Sequence, residues 1–406
     1  MPAHHRGKVV DDRAVAGAVS DRIVAVRCAT IRHQLKVPVM FGNWSIRHRE
    51  FALVRIDTEG GLSGFAYGLT REGPVGEVVR KTIAPQYIGQ DPGDPPQLFY
   101  QALWSNNPIH AAGVGMRALS VVDVAAWDLA AKAAGLSISA YLGGERRPML
   151  VTGIVGYPPS IGPDATVAQI RDLWSKGWRR FKLPIAPTSD ASIARLRAAR
   201  EAFPDAWLGI DANFYHKTAA DAIAFGKLLD GLKIGWFEDI VPPGDAAMVA
   251  EIREGISTPV AMGDEQGGSY HPQALLKFGA VDVLRVDATT NGGITRLREI
   301  VAQARSHGVQ VSPHMFPHIH SQVLSALGFA DAPIEWGIPD TGVHPMDDSL
   351  AQPVVTDGRM APLPEAPGIG RLVDPAWIRA QEVSDPDGLL DGLPELQPAH
   401  ASGRTG

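Results

Sequence analysis

A repeated succession of short apolar strands and amphipathic helices begins at Pro148 and limits the possible folds more than any other feature of the sequence. Runs of apolar and β-branched residues predict eight strands, at residues 149–155, 179–185, 207–213, 234–239, 259–265, 281–287, 309–315 and 333–338. Apolar residues at helical spacing fill the intervals, as in Ser192–Phe203, Ala219–Leu229 and Ile294–His307. Because strands that alternate with helices form parallel sheets, eight such units predict an α/β fold, a (β/α)8-type barrel.

The residues before Pro148 follow a different pattern. Ile23–Ile31 and Phe51–Asp57 are rich in β-branched and apolar residues, and with Gly64–Tyr67 they predict a small antiparallel sheet. Arg117–Ala134 keeps apolar residues at helical spacing. We therefore expect an α+β capping domain ahead of the barrel. The predicted boundaries are a disordered arm at 1–21, the capping domain at 22–147, the barrel at 148–350, a segment returning to the cap at 351–396 and a disordered tail at 397–406.

Composition excludes several classes of function. The formal net charge of −6 over 406 residues leaves no basic surplus for binding nucleic acid. Cys28 is the single cysteine, so no disulfide within the chain is expected. No apolar run is long enough to span a bilayer, and the N-terminus lacks the apolar core of a signal peptide. We expect a cytoplasmic protein without a nucleic-acid or membrane partner.

An ionisable residue lies at the end of each predicted barrel strand from the second to the eighth. In a barrel of this type, the C-terminal ends of all strands point to one mouth, so side chains that are distant in sequence converge there. The residues at these ends are Lys182, Asp211, Glu238, Asp264, Asp287, His314 and Glu335.

Three of these residues form a candidate metal site. Asp211, Glu238 and Asp264 follow apolar strands on consecutive units of the predicted barrel. Three carboxylates at one mouth repel one another unless a cation lies between them. Ligation by oxygen alone favours a hard ion, and three carboxylates that leave room for water and substrate favour Mg²⁺.

Asp287 and His314 end adjacent strands and form a candidate acid–base pair. A carboxylate beside an imidazole fixes the tautomer of the ring and raises its basicity, so His314 is a candidate general base. His318 and His320 follow in the next loop at a spacing that metal ligands also show. We expect them to be loop or supporting residues, because the carboxylates already provide a metal site.

Several segments resemble the mandelate racemase subgroup of the enolase superfamily over nearly the whole chain. They are ALSVVDVAAWDLAAKAAGLSISAYLGG before the barrel, and IDAN, WFEDIVPP, AMGDE, VLRVDATTNGGIT, VSPHMF and PIEWGIP at the strand ends. The resemblance implies a modified TIM barrel with an α+β capping domain, one Mg²⁺ per active site and assembly into dimers or octamers.

The resemblance also implies roles for individual residues. Asp211, Glu238 and Asp264 would hold the metal, with Asp264 preferred to Glu265 because it directly follows Gly263, and Glu238 preferred to Asp239. The Asp287–His314 pair would move the proton. Glu335 would assist by hydrogen bonding to the substrate carboxylate or enediolate, either protonated or sharing a hydrogen bond, and Asn213 would lie beside the metal or the substrate.

One departure from the family bears on the reaction. The second barrel strand usually ends in Lys-x-Lys, and the second lysine is a base on the face opposite the histidine. Here the strand ends in Lys182-Leu183-Pro184, which is similar to the rhamnonate dehydratase branch. Lys182 would remain as a cation near the substrate carboxylate, and the loss of the second base weakens racemisation.

The resemblance, with the missing second lysine, implies an acid-sugar dehydratase that yields a 2-keto-3-deoxy acid. The alternatives are an isomerase that uses the same enediolate, either a cycloisomerase or a racemase/epimerase, and a non-catalytic protein that binds sugar acids. Substrate contacts are expected from two cap loops, Pro38–His48 and Tyr67–Arg71. The candidates in the first loop are Phe41, Trp44, Arg47 and His48.

Overall fold

A computed structural model describes residues 21–41, 44–105, 108–350, 352–370 and 374–391. The predicted arm and tail therefore lie outside the described residues, apart from Asp21. Within the described ranges, no helix is both long and apolar enough to cross a membrane.

The capping domain is built on an antiparallel sheet whose long central strands are β1 and β2. Cys28 of β1 pairs with Val54 of β2, and both side chains are buried. Alternating residues of the two strands thus place one apolar face against the helices of the cap. The strands of this sheet, in spatial order, are β14 (Glu382–Ser384), β1 (Ile23–Phe41), β2 (Trp44–Thr58) and β3 (Ser63–Leu69).

A long buried helix covers this sheet. It spans Gly113–Ala133 (α4), close to the predicted helix. A side chain at Gly64 of β3 would lie 2.2 Å from the carbonyl oxygen of Ala125, so glycine permits the close approach of helix and sheet. The other helices of the cap are α1 (Val75–Val78), a π-helix (Val79–Ile83), α2 (Ala84–Tyr87), α3 (Pro95–Ser105), a 3₁₀ turn (Pro108–Ala111) and α5 (Ile138–Tyr141).

The barrel contains all eight predicted strands in parallel order. Each is paired with its neighbour from the first to the seventh, and the eighth pairs with the first. Between the seventh and the eighth strands, Ser312 Oγ donates a hydrogen bond to the Pro333 carbonyl at 3.2 Å. The strands are β4 (Met149–Ile154), β5 (Arg180–Pro184), β6 (Trp207–Asp211), β7 (Ile234–Glu238), β8 (Val260–Met262), β9 (Val283–Val286), β10 (Gln310–Pro313) and β11 (Ile334–Gly337).

Helices follow the first seven barrel strands. Thr188, Thr218 and Asp245 accept hydrogen bonds from backbone N–H groups in the first turns of three of them, which fixes where these helices begin. The helices are α6 (Pro163–Ser175), α7 (Ser189–Ala202), α8 (Ala219–Leu228), α9 (Ala246–Gly255), α10 (Tyr270–Lys277), α11 (Gly293–Ser306) and α12 (Pro317–Ala326).

The C-terminal segment contacts both domains. β12 (Val355–Thr356) and β13 (Arg359–Met360) form a hairpin, and β13 pairs with the first barrel strand. Helix α13 (Pro375–Arg379) then leads to β14, which pairs with β1 of the cap. A 3₁₀ turn at Asp347–Ser349 precedes this segment. The predicted fold class, a modified TIM barrel with an α+β capping domain, is confirmed.

Candidate active site

A cavity of about 320 Å³ lies at the C-terminal ends of the barrel strands, beneath the capping domain. The barrel residues that line it include Lys182, Asp211, Asn213, His314 and Glu335. The capping domain contributes three arginines, namely Arg49 of β2, Arg71 after β3 and Arg117 of α4. Charged groups from both domains therefore face the same volume.

We define the floor of the cavity as the charged cluster at the strand ends, which comprises Lys182, Asp211, Glu238, Asp239, Asp264, Arg285 and Glu335. Lys182 Nζ lies 2.7 Å from Glu238 Oε1 and 2.5 Å from Glu335 Oε1. Asp211 Oδ2 is 3.4 Å from the same ammonium group. Burial alone would lower the pKa of Lys182, but these carboxylates outweigh it and hold the pKa above its ordinary value. Lys182 is thus a buried cation in the site.

Arg285 is a second cation in the floor, and the sequence analysis did not single it out. Its Nε lies 3.1 Å from Glu238 Oε1, and its Nη2 lies 2.8 Å from Glu335 Oε2. Its position two residues before Asp287 could have indicated its role, because alternate residues of a strand face the same side. Burial would raise the pKa of Glu335, but Arg285 and Lys182 lower it to about 2, so the structure favours the ionised form of Glu335 over the protonated one.

The carboxylates of the floor are crowded. Burial is the largest cause that raises the pKa of Glu238 to about 8 and that of Asp264 to about 6. Burial also raises the pKa of Asp239 well above its ordinary value, with further contributions from Asp264, Asp211 and Glu238. Each shift means that a full negative charge is unfavourable there, and a divalent cation among these carboxylates would offset that cost.

The expected metal ligands do not form a single cluster. Two groups place their ligand atoms within 4.8 Å of one another, namely Asp211, Glu238 and Asp239, and Asp264, Glu265 and His314. Asp239 thus groups with Asp211 and Glu238, whereas Asp264 groups with Glu265 and His314. After burial, the charges of Asp264 and Asp211 raise the pKa of Asp239, so the two groups interact electrostatically.

The structure brings Asp287 and His314 together. His314 Nδ1 lies 3.0 Å from Asp287 Oδ2, while Asp264 Oδ2 is 3.7 Å away. The N–H of Thr289 donates to Asp287 Oδ1 at 2.6 Å and orients that carboxyl group. Burial is the main cause that lowers the pKa of His314 well below its ordinary value, so the resting imidazole is unprotonated, as a general base requires.

His320 connects the two strand ends that carry this pair. Its Nδ1 donates to the carbonyl of Met315 at 2.7 Å, and its Nε2 accepts from the N–H of Ala288 at 2.9 Å. These two bonds fix a neutral tautomer. His318 stacks on Tyr67 of the cap, with ring centroids 5.3 Å apart. Among the described residues, neither histidine belongs to a group that could hold a metal.

We define the roof of the cavity as Arg49, Arg71, Arg117 and Glu265. Arg71 forms an ion pair with Glu265, and Arg117 Nη2 lies 2.6 Å from Glu265 Oε2. Burial would raise the pKa of Glu265, but the two arginines hold it well below its ordinary value. Because Glu265 is engaged by two cations, its oxygens are less available to a metal than those of Asp264, which agrees with the expected preference for Asp264.

The structure does not bring the expected cap residues to the cavity. Arg47 is exposed and does not line the cavity. His48 Nε2 lies 3.2 Å from Glu72 Oε1 and is not part of the cavity lining. The side chains of Phe41 and Trp44 lie outside the described residues. The arginine of this strand that does line the cavity is Arg49, which the sequence analysis missed.

Unusual backbone conformations occur where the barrel strands meet the cavity. Asn213, Asp239 and Met315 have φ angles of 47°, 45° and 45°, in the left-handed region. Each follows a strand-end candidate, and such conformations cost about 1–3 kcal/mol each outside glycine. Asn213 is held by its own N–H, which donates to Asp211 Oδ1 at 2.9 Å. These sharp turns orient the side chains of the floor.

Comparison with known families decides the classification. Residues 165–377, more than half of the chain, match a family described as enolase C-terminal domain-like. Residues 23–143 match the mandelate racemase / muconate lactonizing enzyme N-terminal domain. The chain belongs to the enolase superfamily. Both matches place this enolase-superfamily enzyme in the mandelate racemase subgroup, as the sequence motifs predicted.

Individual relatives of this enolase-superfamily enzyme differ in their reactions. A D-galactarolactone cycloisomerase from Agrobacterium fabrum (strain C58 / ATCC 33970) is 29% identical over 383 residues, which cover 90% of this chain and 100% of that protein. A D-mannonate dehydratase from Caulobacter sp. (strain K31) is 28% identical over 378 residues, which cover 81% of this chain and 90% of that protein. The crystal structure of L-talarate dehydratase from Polaromonas sp. JS666, complexed with Mg and L-glucarate, has a TM-score of 0.76 at 25% identity and covers 90% of this chain and 99% of that one.

Proposed function

We propose that this chain is a magnesium-dependent acid-sugar dehydratase that removes the proton α to a carboxylate and then eliminates the β-hydroxyl group. The observation that carries the proposal is the His314–Asp287 pair, whose unprotonated imidazole reaches a cavity with a floor rich in carboxylates. Dehydratases of mannonate and talarate among its relatives support the same class of reaction.

The floor fits a magnesium ion by the chemistry of its donors. One oxygen each of Glu238, Asp239 and Asp264 is buried without a hydrogen-bond partner, although the side chains come from neighbouring strand ends. Buried acceptors of this kind are costly unless they bind a proton or a cation. Asp211, Glu238 and Asp264 remain the proposed ligands, with Asp239 as the competing third carboxylate. A bound Mg²⁺ would stabilise negative charge that develops on the substrate carboxylate.

The residues of the chain account for the proton transfers. His314 takes the α-proton, and Asp287 stabilises the imidazolium that results. The electron pair of the broken C–H bond moves onto the carboxylate, where Lys182 offers positive charge. Glu335 orients Lys182 and the fully buried Arg285. Loss of the β-hydroxyl, protonated by His314, releases water and leaves an enol, which tautomerises to a 2-keto-3-deoxy acid.

Pro184 favours this one-base route. It lines the cavity at the position where a second lysine would stand, and it has no group that can move a proton. A racemase or epimerase that uses two bases needs an acid or base on each face of the α-carbon. Dehydration requires only His314 if the proton and the hydroxyl group lie on one face of the substrate.

A lactone cycloisomerase is the second candidate. It is favoured by the relative from Agrobacterium fabrum, because the alignment covers the whole length of that protein. Cycloisomerisation passes through the same enediolate and also proceeds with one base. A non-catalytic sugar-acid-binding protein is disfavoured, because the His314–Asp287 pair and the carboxylates of the floor are all present.

The experiment is a screen of sugar acids and their lactones with Mg²⁺, followed by assays for 2-keto-3-deoxy acids and for ring-opened or isomerised products. We expect at least one sugar acid to give a 2-keto-3-deoxy product. Isomerised product from a lactone without any dehydration would replace the dehydratase by the cycloisomerase. No conversion of any compound, despite binding, would favour the non-catalytic alternative.

A further inference from the structure

Arg49 is the roof arginine whose charge is not balanced by the protein. It is 6% exposed and lines the cavity, and its Nε donates to the carbonyl of Gly342 at 3.2 Å. Among the residues that the structure describes, no carboxylate lies within ion-pair distance of it. Its other polar neighbour is Tyr157, whose phenol also lines the cavity. A buried guanidinium without an anionic partner lowers the stability of the folded protein, so a contribution to folding does not explain why an arginine occupies this position.

The other two roof arginines differ from Arg49 in this respect. Arg71 and Arg117 share one carboxylate, Glu265, which also connects the cap to the barrel. Burial and the charge of Arg71 lower the pKa of Arg49, Tyr157 and Glu265 oppose them, and the net pKa is about 10. The roof therefore has three guanidinium groups and one carboxylate, and the excess of positive charge faces the cavity.

Tyr157 lines the cavity together with residues of both the roof and the floor. Burial raises the pKa of its phenol to about 12, and the charges that act on it next are Arg49, Asp211 and Lys182. Arg49, Tyr157, Asp211 and Lys182 all line the same cavity. A substrate whose first carboxylate lies at the floor would extend past Tyr157 and reach Arg49 with its far end.

We propose that Arg49, with Tyr157 beside it, binds a second carboxylate at the far end of the substrate, so that the enzyme selects sugar diacids over sugar monoacids. This inference rests on the proposed function, because it assumes that the first carboxylate of a sugar acid lies at the floor. A guanidinium and a carboxylate match in charge and in planar hydrogen-bonding geometry, whereas the terminal hydroxymethyl group of a monoacid would leave Arg49 buried without an anionic partner.

The experiment compares binding of matched pairs by titration calorimetry on the full chain in Mg²⁺. Each pair is a six-carbon sugar diacid and the monoacid with the same configuration at its inner carbons. The wild type is expected to bind one diacid at least about 100-fold more tightly than its monoacid partner. Arg49→Gln should lose about 100-fold for the diacid and less than about 3-fold for the monoacid. Equal binding of both acids by the wild type, or equal losses for both in Arg49→Gln, would overturn the proposal.

Two further variants separate recognition from folding. Arg49→Lys keeps the charge but not the forked geometry, so its affinity for the diacid alone should fall by about 10-fold. This variant replaces Arg49→Gln in the test if Arg49→Gln does not fold. Arg197→Gln removes an exposed arginine of α7 that lies away from the cavity, and it should bind both acids as the wild type does. A structural role for Arg49 predicts a lower Tm in Arg49→Gln, whereas a recognition role predicts an unchanged or higher Tm, because an uncompensated buried cation is removed.

The calorimetry distinguishes this inference from the proposed function. If a diacid binds through Arg49 but no 2-keto-3-deoxy acid forms, dehydration is wrong and diacid recognition stands. If monoacids are dehydrated as readily as diacids, the dehydratase stands and diacid recognition fails. Absence of binding for every diacid, or tighter binding of a sugar-acid phosphate than of any diacid, also removes the proposed role of Arg49.

Discussion

The floor and the roof of the cavity have opposite excess charge. The floor, defined above, holds five carboxylates and two cations within a few ångströms. The roof holds three guanidinium groups and one carboxylate. Buried charges are tolerated only where partners balance them, so each excess indicates what the site is built to receive. A divalent cation would offset the negative excess of the floor, and an anionic group would offset the positive excess of the roof.

The floor and the roof also differ in which parts of the fold contribute their charged residues. The floor is assembled from the ends of consecutive barrel strands, which are rigid and closely spaced. The roof joins cap side chains to one barrel residue, Glu265, so it depends on the packing of two domains. We place the proposed proton chemistry at the strand ends of the barrel and the proposed selection among substrates at the roof.

The largest expected effect is on the proton transfer by His314, which lies beside the floor at the barrel strand ends. His314→Asn should lower kcat by about 10³–10⁴-fold, because asparagine cannot take the α-proton. Binding of Mg²⁺ and of substrate should remain within a few fold of the wild type, as measured by calorimetry. His307→Asn, which changes the exposed histidine directly after α11, is the matched control. Substantial turnover by His314→Asn would remove this residue from the proton transfer.

The next effect is on the roof. Glu265→Gln leaves Arg71 and Arg117 without their shared carboxylate, so we expect the free energy of unfolding to fall by about 3–5 kcal/mol. Urea unfolding monitored by circular dichroism measures it. Glu254→Gln on the exposed face of α9 should change stability by less than about 0.5 kcal/mol. Equal stability of the two variants would mean that the roof charges are screened by solvent, and the contrast with the floor would then fail.

The contrast between floor and roof also separates what the sequence could and could not predict. Strand order and strand-end position follow from local periodicity, and this periodicity alone predicts that Lys182, Asp287 and His314 lie at one mouth. The sequence analysis did not predict that Arg285 and Arg49 belong to the site, because their importance comes from partners far away in sequence rather than from a local pattern. Arg47 was expected in place of Arg49, since the register of a long hairpin depends on an irregularity that the sequence does not mark.

The third effect concerns the choice between two carboxylates of the floor. Asp264→Asn should weaken Mg²⁺ binding by about 100-fold if Asp264 is the third ligand, while Asp239→Asn should weaken it by only about 10-fold. Titration of each variant with Mg²⁺ in a calorimeter gives the comparison. The reverse order would assign the third ligand to Asp239, which already lies within 4.8 Å of Asp211 and Glu238.

The smallest effect concerns a contact between the cap and the barrel outside the cavity lining, where His318 stacks on Tyr67. Burial is the main cause that lowers the pKa of His318 to about 4, so the folded protein favours the neutral ring. Because the folded pKa lies below the ordinary value near 6.5, this stability is present above pH 6.5 and is lost as the pH falls towards 4. Between pH 8 and pH 5 the loss should be about 2 kcal/mol.

Comparison of His318→Phe with the wild type isolates this contribution from those of other buried histidines. Phenylalanine keeps a ring against Tyr67 but cannot be protonated, so the variant should lose about 2 kcal/mol less than the wild type between pH 8 and pH 5. Urea unfolding at both pH values measures the difference, with His307→Phe as the exposed control. If His318→Phe shows the full acid sensitivity of the wild type, His318 has the same pKa in the folded and unfolded states, and its burial against Tyr67 does not disfavour protonation.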